Sequence, residues 1–406
     1  MRLLVLGLVS LGVTGFAHTH PRLLKTPGAG IKARTCFAEP PSASSTTSRA
    51  LALCPRNAAS LPTAAPVEAA VIYNLQPTPI VSPRFLISTR GGASTAAKPA
   101  TSTLKVGSFF FLWYLFNIGY NIYNKKALNV LPLPWTVGLI QLSLGLLYVF
   151  PLWALGIRKA PKLTVQNVKN LLPVALMHAM AHISAVISLG AGAVSFTHII
   201  KAAEPAFTSL FSALFLKQFF APVVYASLIP VMGGVAIASL TERKFSWLAF
   251  NSAMLANTAS AGRGIFAKKT MKEPQGQNMD AANLYAVLTI LATLIMAPAA
   301  VLVEGSKVRG AWQAALAVTS QKQLINYIIS SGLYFYLYNE VAFLALDSVH
   351  PVTHAVGNTI KRVVIIGASI LVFKNPVTMQ GYIGSAVAIA GVLLYSLAVE
   401  KTKKRA

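Results

Sequence analysis

His354-Ala-Val-Gly-Asn-Thr-Ile-Lys-Arg-Val-Val-Ile-Ile-Gly-Ala-Ser-Ile-Leu-Val-Phe373 reads as a membrane-spanning helix, yet it carries Lys361 and Arg362 side by side. A lysine or arginine at the centre of a bilayer costs on the order of 2.5–3.5 kcal/mol even on lenient insertion scales. Two adjacent cations persist there only if they face a wet cavity or meet an anion. The stretch therefore points to a membrane protein that holds an anionic ligand partway across the bilayer.

The rest of the composition agrees. Hydrophobic residues make up 55% of the chain and charged residues 11%, with a mean hydropathy of +0.60; a soluble domain carries about 25% charged residues. The formal net charge of +25 would suit nucleic acid if the basic residues formed exposed patches. Here they stand in short segments between apolar runs, at the termini, and singly inside the runs, so no nucleic-acid partner is expected. Cys36 and Cys54 both lie in the first hundred residues, which leaves no thiolate metal site or disulfide in the apolar body. The chain has no His-Glu-x-x-His, no phosphate-binding glycine loop and no Gly-x-Ser-x-Gly elbow. Acids are too few to hold magnesium for phosphotransfer. No catalytic residue, metal or cofactor is expected.

Residues 1–104 differ from the remainder of the chain. Met1-Arg2 and the apolar Leu3–Val13 form a positive start and a core too short to span, so 1–17 is expected to be a signal peptide. Residues 18–104 are rich in Ala, Ser, Thr, Pro and Arg, with few acids. That is the composition of an organelle transit peptide and linker. The combination resembles the bipartite leader of plastid proteins in algae with additional envelope membranes.

From about residue 105 apolar runs succeed one another, each near the roughly 20 residues that a spanning helix needs. Ten are expected: 106–124, 134–156, 169–190, 192–216, 221–240, 247–267, 281–303, 323–346, 350–373 and 378–398. An even number puts both ends on one side. Arg158, Lys159, Lys162, Lys268, Lys269, Lys272 and the basic tail 401–406 fall on that side, so it is the inner one.

The body also repeats. Asn121-Ile-Tyr-Asn-Lys-Lys-Ala-Leu128 is echoed by Gly264-Ile-Phe-Ala-Lys-Lys-Thr-Met271, Thr197-His198 before Lys201 by Thr353-His354 before Lys361, and Gly233–Leu240 by Ala388–Tyr395. Each pair is separated by about 140–160 residues. The expected fold is an all-α integral membrane protein of ten transmembrane helices, built as two inverted five-helix repeats, 105–244 and 245–400, within a 105–400 transporter domain.

Lys201 lies in Ser195-Phe-Thr-His-Ile-Ile-Lys-Ala-Ala-Glu-Pro205. Pro205 has no N–H for the carbonyl of Lys201, so a break is expected beside the lysine. Lys201 occupies in repeat one the place of Lys361–Arg362 in repeat two. Inverted symmetry would bring the sites together near the midplane, where three cations match a dianionic phosphate. The plainer alternative is that Glu204 neutralises Lys201 while the pair snorkels to an interface. His182 fits a structural hydrogen-bond donor or a ligand contact, Tyr338 an interfacial or a ligand-binding role, and Arg263 a cavity rim or a snorkelling position.

Together these segments resemble the plastid phosphate translocators of the drug/metabolite transporter superfamily. The resemblance runs over essentially all of 105–400 and is most specific in Phe116–Leu128, Ser195–Pro205, Ile265–Lys269, Tyr336–Asn339 and His354–Arg362. It implies counter-exchange of inorganic phosphate against phosphorylated C3, C5 or C6 compounds in the plastid inner envelope. It also implies that Lys201, Lys361 and Arg362 grip phosphate, that His182 and Tyr338 contact the organic end, and that Arg263 is a recurring basic position. His182, Met279–Tyr285 and Thr353–Asn358 are most similar to the triose-phosphate branch, whereas Ser195–Phe207 is closer to the hexose-phosphate branch. Ala185 stands where some members carry a hydroxyl. The expected function is antiport of phosphate against triose phosphate or 3-phosphoglycerate. The alternatives are a translocator of the same fold for phosphoenolpyruvate, pentose or hexose phosphate, or nucleotide sugar, and more remotely an anion channel.

Overall fold

With no water in a bilayer core to satisfy backbone N–H and C=O groups, a long apolar run is driven to helix; the expected runs are helical, but 192–216 and 221–240 are each divided into two helices. The computed structural model describes residues 103–270, 275–349, 351–374 and 377–403, all within one compact unit. The expected signal peptide, nearly all of the transit segment and the last residues of the basic tail lie outside the described residues. The helices are α1 Thr103–Val130, α2 Pro134–Ala154, α3 Val165–Ala191, α4 Val194–Ile200, α5 Glu204–Leu216, α6 Pro222–Ala226, α7 Leu228–Leu240, α8 Trp247–Thr270, α9 Ala281–Glu304, α10 Val308–Val318, α11 Gln321–Ser348, α12 Pro351–Phe373 and α13 Met379–Lys403. A 3₁₀ turn, Lys201–Ala203, links α4 to α5.

Among the described residues, seven stretches are long and apolar enough to cross a membrane: α2, α3, α4 through α5, α6 through α7, α9 with α10, most of α12, and α13. The long helices α1, α8 and α11 are as extended, at 28, 24 and 28 residues. Their polar residues set them apart: Asn117, Asn121 and Asn124 on α1, Asn257 on α8 and Glu340 on α11 are all buried inside the protein. Sequence hydropathy ends the first run at 124, but α1 continues through Lys125 to Val130 because Lys125 Nζ turns back onto the carbonyls of Leu189, Gly190 and Gly192 at 2.9, 3.2 and 2.8 Å. It thereby caps the end of α3, where an ammonium meets the negative pole of the helix.

The interhelix contacts form a reciprocal pattern. α1 runs along α11 as α8 runs along α3; α2 meets α11 as α9 meets α3; α5 meets α8 as α12 meets α1. The pairs α2–α9, α4–α12 and α7–α13 join corresponding elements directly. These pairs change places when the elements before Trp247 are exchanged for those after it. At α7–α13 small residues let the backbones touch. A Cβ on Gly234 would lie 2.4 Å from the Ala388 nitrogen, and one on Gly384 2.7 Å from that of Ala238.

The ends are tied by polar contacts. At one end the segment after α2 meets that after α8, where Lys162 and Gln277 exchange two backbone bonds of 3.0 Å. Arg158 there forms an ion pair with Glu340 of α11. At the other end Glu304 accepts from the N–H groups of Trp135 and Thr136 at 3.1 and 2.8 Å. That carboxylate sits at the positive start of α2, the favourable pole for an anion.

Candidate functional site

The chemistry begins at the break between α4 and α5. Pro205 follows Glu204, and the chain tightens so that the Glu204 N–H bonds to Lys201 O, one residue short of the α-helical partner. Ile200 O thus loses the donor it would have had. Asn257, fully buried on α8, supplies another: its Nδ2 donates to Ile200 O at 2.9 Å. The break expected beside Lys201 is present, and an amide from the other half holds it. Lys201 stands about 10 Å along the rod from Val194 and Lys361 about 15 Å along α12 from Pro351, at 1.5 Å per residue. Lys361 thus lies near the middle of its helix and Lys201 about a third of the way along its rod.

Arg362 is buried and donates through Nη2 to Glu204 Oε2 at 3.0 Å. The Glu204 carboxylate feels four cations, Lys201, Arg362, Arg263 and Lys361. They come from α12, from α8 and from the turn after α4, so both halves contribute. Glu204 faces Lys201, as the plainer reading expects, and it is also ion-paired with the buried Arg362 across the halves. Lys361 directs its ammonium at the indole of Trp113, 4.6 Å from the ring centroid. His354 stacks on the same indole at 4.8 Å and an interplanar angle of 16°. His354 and Lys361 are two helical turns apart, about 10.5 Å of rise, which leaves room for one aromatic ring between them. Trp113 from α1 therefore seats Lys361 through a cation–π contact. Next to the cluster, His198 Nε2 donates to Asn121 Oδ1 at 2.8 Å, and Asn121 is braced in turn by Asn117.

His182 and Tyr338 meet through Phe335, with ring centroids 4.1 Å and 5.6 Å from it. Tyr120 closes the same wall, 5.4 Å from Tyr338. His182 Nε2 donates to Gly138 O at 3.1 Å, so one ring nitrogen has the structural role of a hydrogen-bond donor. A neutral ring with its proton on Nε2 presents Nδ1 as an acceptor, suited to a ligand hydroxyl. Arg263 bridges the two regions: it acts electrostatically on Glu204 and Lys201 and also on the Tyr338 phenol.

Glu204, which the sequence offers only as a neutraliser of Lys201, is also ion-paired with Arg362. The structure adds three residues that sequence patterning does not single out: Trp113 seats Lys361, Asn257 holds the break beside Lys201, and His178 contacts Arg263 at 3.0 Å. Only Glu204 carries a sequence signal, as an acid in an apolar run; a tryptophan, an asparagine or a neutral histidine there has many ordinary explanations.

A family model described as the Triose-phosphate Transporter family matches residues 104–396. The chain is 42% identical over 307 residues to the glucose-6-phosphate/phosphate translocator 1, chloroplastic, of Arabidopsis thaliana, covering 75% of this chain and 78% of the relative. It is 39% identical over 341 residues to the triose phosphate/phosphate translocator, chloroplastic, of Spinacia oleracea, covering 84% and 83%. It is 42% identical over 294 residues to the phosphoenolpyruvate/phosphate translocator 1, chloroplastic, of Oryza sativa subsp. japonica, covering 72% of each. The family is one of transporters rather than enzymes, and over helices α1 to α13 this chain belongs to it, the Triose-phosphate Transporter family.

Proposed function

We propose that the protein exchanges inorganic phosphate for triose phosphate or 3-phosphoglycerate across the inner envelope membrane of a plastid, binding the phosphoryl group between its two halves. The observation that carries this reading is the cluster of Lys201, Lys361, Arg362 and Arg263, drawn from both halves around the carboxylate of Glu204. In the empty site four cations face one carboxylate. A bound phosphate dianion brings three negative charges against the four. Arg362 can engage it bidentately while the lysines act as point charges. Phe335, Tyr338, Tyr120 and His182 would wall the organic end.

The same charges account for exchange. Closing a low-dielectric site around uncompensated cations is costly, so the unloaded protein rarely passes between its two open states. A bound dianion lowers that cost and lets the halves rock about it, with corresponding elements paired between them. The inverted ten-helix repeat plan, 105–244 and 245–400, is part of this proposal, as are the roles of Lys201, Lys361, Arg362, His182, Tyr338 and Arg263.

The relatives' names support phosphate as the shared substrate, and their chloroplastic designation supports the plastid. Identities of 39–42% to three branches do not select the organic partner. Hexose phosphate is the second reading, favoured by the stretch Ser195–Phe207, which is closer to that branch. Liposomes containing the purified protein and loaded in turn with dihydroxyacetone phosphate, 3-phosphoglycerate, phosphoenolpyruvate or glucose 6-phosphate decide between them. Fastest uptake of labelled phosphate is expected against the first two; preference for glucose 6-phosphate would overturn the triose assignment.

A further inference from the structure

Arg263 is held by a partner that orients it without neutralising it. Its Nη1 lies 3.0 Å from His178 Nδ1. A guanidinium can only donate, so His178 must accept on Nδ1 and carry its proton on Nε2. That Nε2 is buried and has no hydrogen-bond partner among the described residues, and the ring as a whole is 4% exposed. Tyr285 packs edge-on against the imidazole, with centroids 5.8 Å apart at 81°, which fixes its plane. A carboxylate in the place of His178 would pair with Arg263 and cancel its charge. A neutral imidazole fixes the direction of the guanidinium and leaves its charge to act on something else.

His178 stands one helical turn before His182 on α3, so the two share a face. Arg263 acts on Tyr338 and Tyr285 as well as on the cation cluster. We propose that His178 is a positioning residue: by accepting from Arg263 it fixes the direction of the guanidinium, and this sets the preference for organic phosphates over inorganic phosphate. The proposal rests on the reading of Arg263 as a substrate-binding residue. An unsupported arginine would rotate away and weaken esters that extend beyond the phosphoryl group, while phosphate itself would still be held by Lys201, Lys361 and Arg362.

The test is a double-mutant cycle in liposomes, with KM and Vmax measured for 3-phosphoglycerate and for inorganic phosphate. His178→Ala and Arg263→Ala should each raise the 3-phosphoglycerate KM roughly tenfold, the scale of one charge-assisted hydrogen bond, with a smaller effect on phosphate. The double variant should be no worse than Arg263→Ala alone. Asn places its amide oxygen where His places Nδ1, whereas Gln places it where His has Nε2. His178→Asn should therefore retain near-native KM and His178→Gln should not, and this pair carries the test if His178→Ala fails to elute as a monodisperse species. Multiplicative effects in the cycle, or equal defects in the Asn and Gln variants, would overturn the proposal. A normal KM in Arg263→Ala would instead overturn the assignment of Arg263 to the site.

Discussion

At the scale of single residues, the site is governed by how many charges each side chain leaves uncompensated. Glu204 accepts from Arg362 at 3.0 Å and sits among four cations, so under the proposed function it does in part, in the unloaded protein, what bound phosphate would do. Glu204→Gln removes that negative charge. Its Vmax for exchange should fall by about tenfold, on the order of 1.4 kcal/mol in the barrier, while the KM for phosphate does not rise, because a competitor for Arg362 is gone. Arg362→Ala should reduce Vmax/KM by one to two orders of magnitude, the scale of about 1.5–3 kcal/mol for a hydrogen bond to a charged group. Phosphate exchange kinetics in liposomes check both. Lys361 and Arg362 were legible in the sequence because a charge in an apolar run is costly and needs a reason. Trp113 and His178 were not. An indole in a membrane helix needs no reason, and a neutral histidine becomes informative only when its neighbour, 85 positions away in the chain, is known to be Arg263.

At the scale of elements, two features hold the cations in register. The first is the break at Lys201, which was legible because Pro205 removes a defined hydrogen bond. Its repair by Asn257 was not, since the donor comes from another helix. Asn257→Leu should leave Ile200 O without that bond in a buried place, costing roughly 1–3 kcal/mol. Lower thermal stability in detergent, together with a raised phosphate KM as Lys201 shifts, is the expected result. The second feature is the α7–α13 crossing. Gly233 and Gly234 are adjacent, yet a Cβ on Gly233 would meet nothing within 4 Å, whereas one on Gly234 would meet backbone at 2.4 Å. Gly234→Ala should destabilise by about 1–3 kcal/mol, and Gly233→Ala should change stability by less than about 1 kcal/mol. Melting temperatures of the two variants, compared directly, check whether this crossing is as close as described. Hydropathy could mark both glycines as lying in an apolar run. It could not say which one faces the partner helix.

At the scale of the whole molecule, the reciprocal pattern of contacts between halves gives the cation cluster its place. The echo of Thr197-His198 before Lys201 in Thr353-His354 before Lys361 was visible in the sequence, and it placed both segments in corresponding elements, α4 and α12, which the structure packs together. The echoes gave no hint of α10, whose 11 residues are too few to span and come after the apolar run of α9 almost without interruption. A site built from both halves cannot be reached from one face while the other face is also open, if the halves rock as rigid bodies. An anion channel makes the opposite demand, a continuous path. The central claim is that bound dianion is required for the halves to move, and labelled phosphate uptake into proteoliposomes tests it most directly. Vesicles preloaded with phosphate or triose phosphate should take up label and exchange it one for one, whereas brisk uptake into empty vesicles would contradict the account.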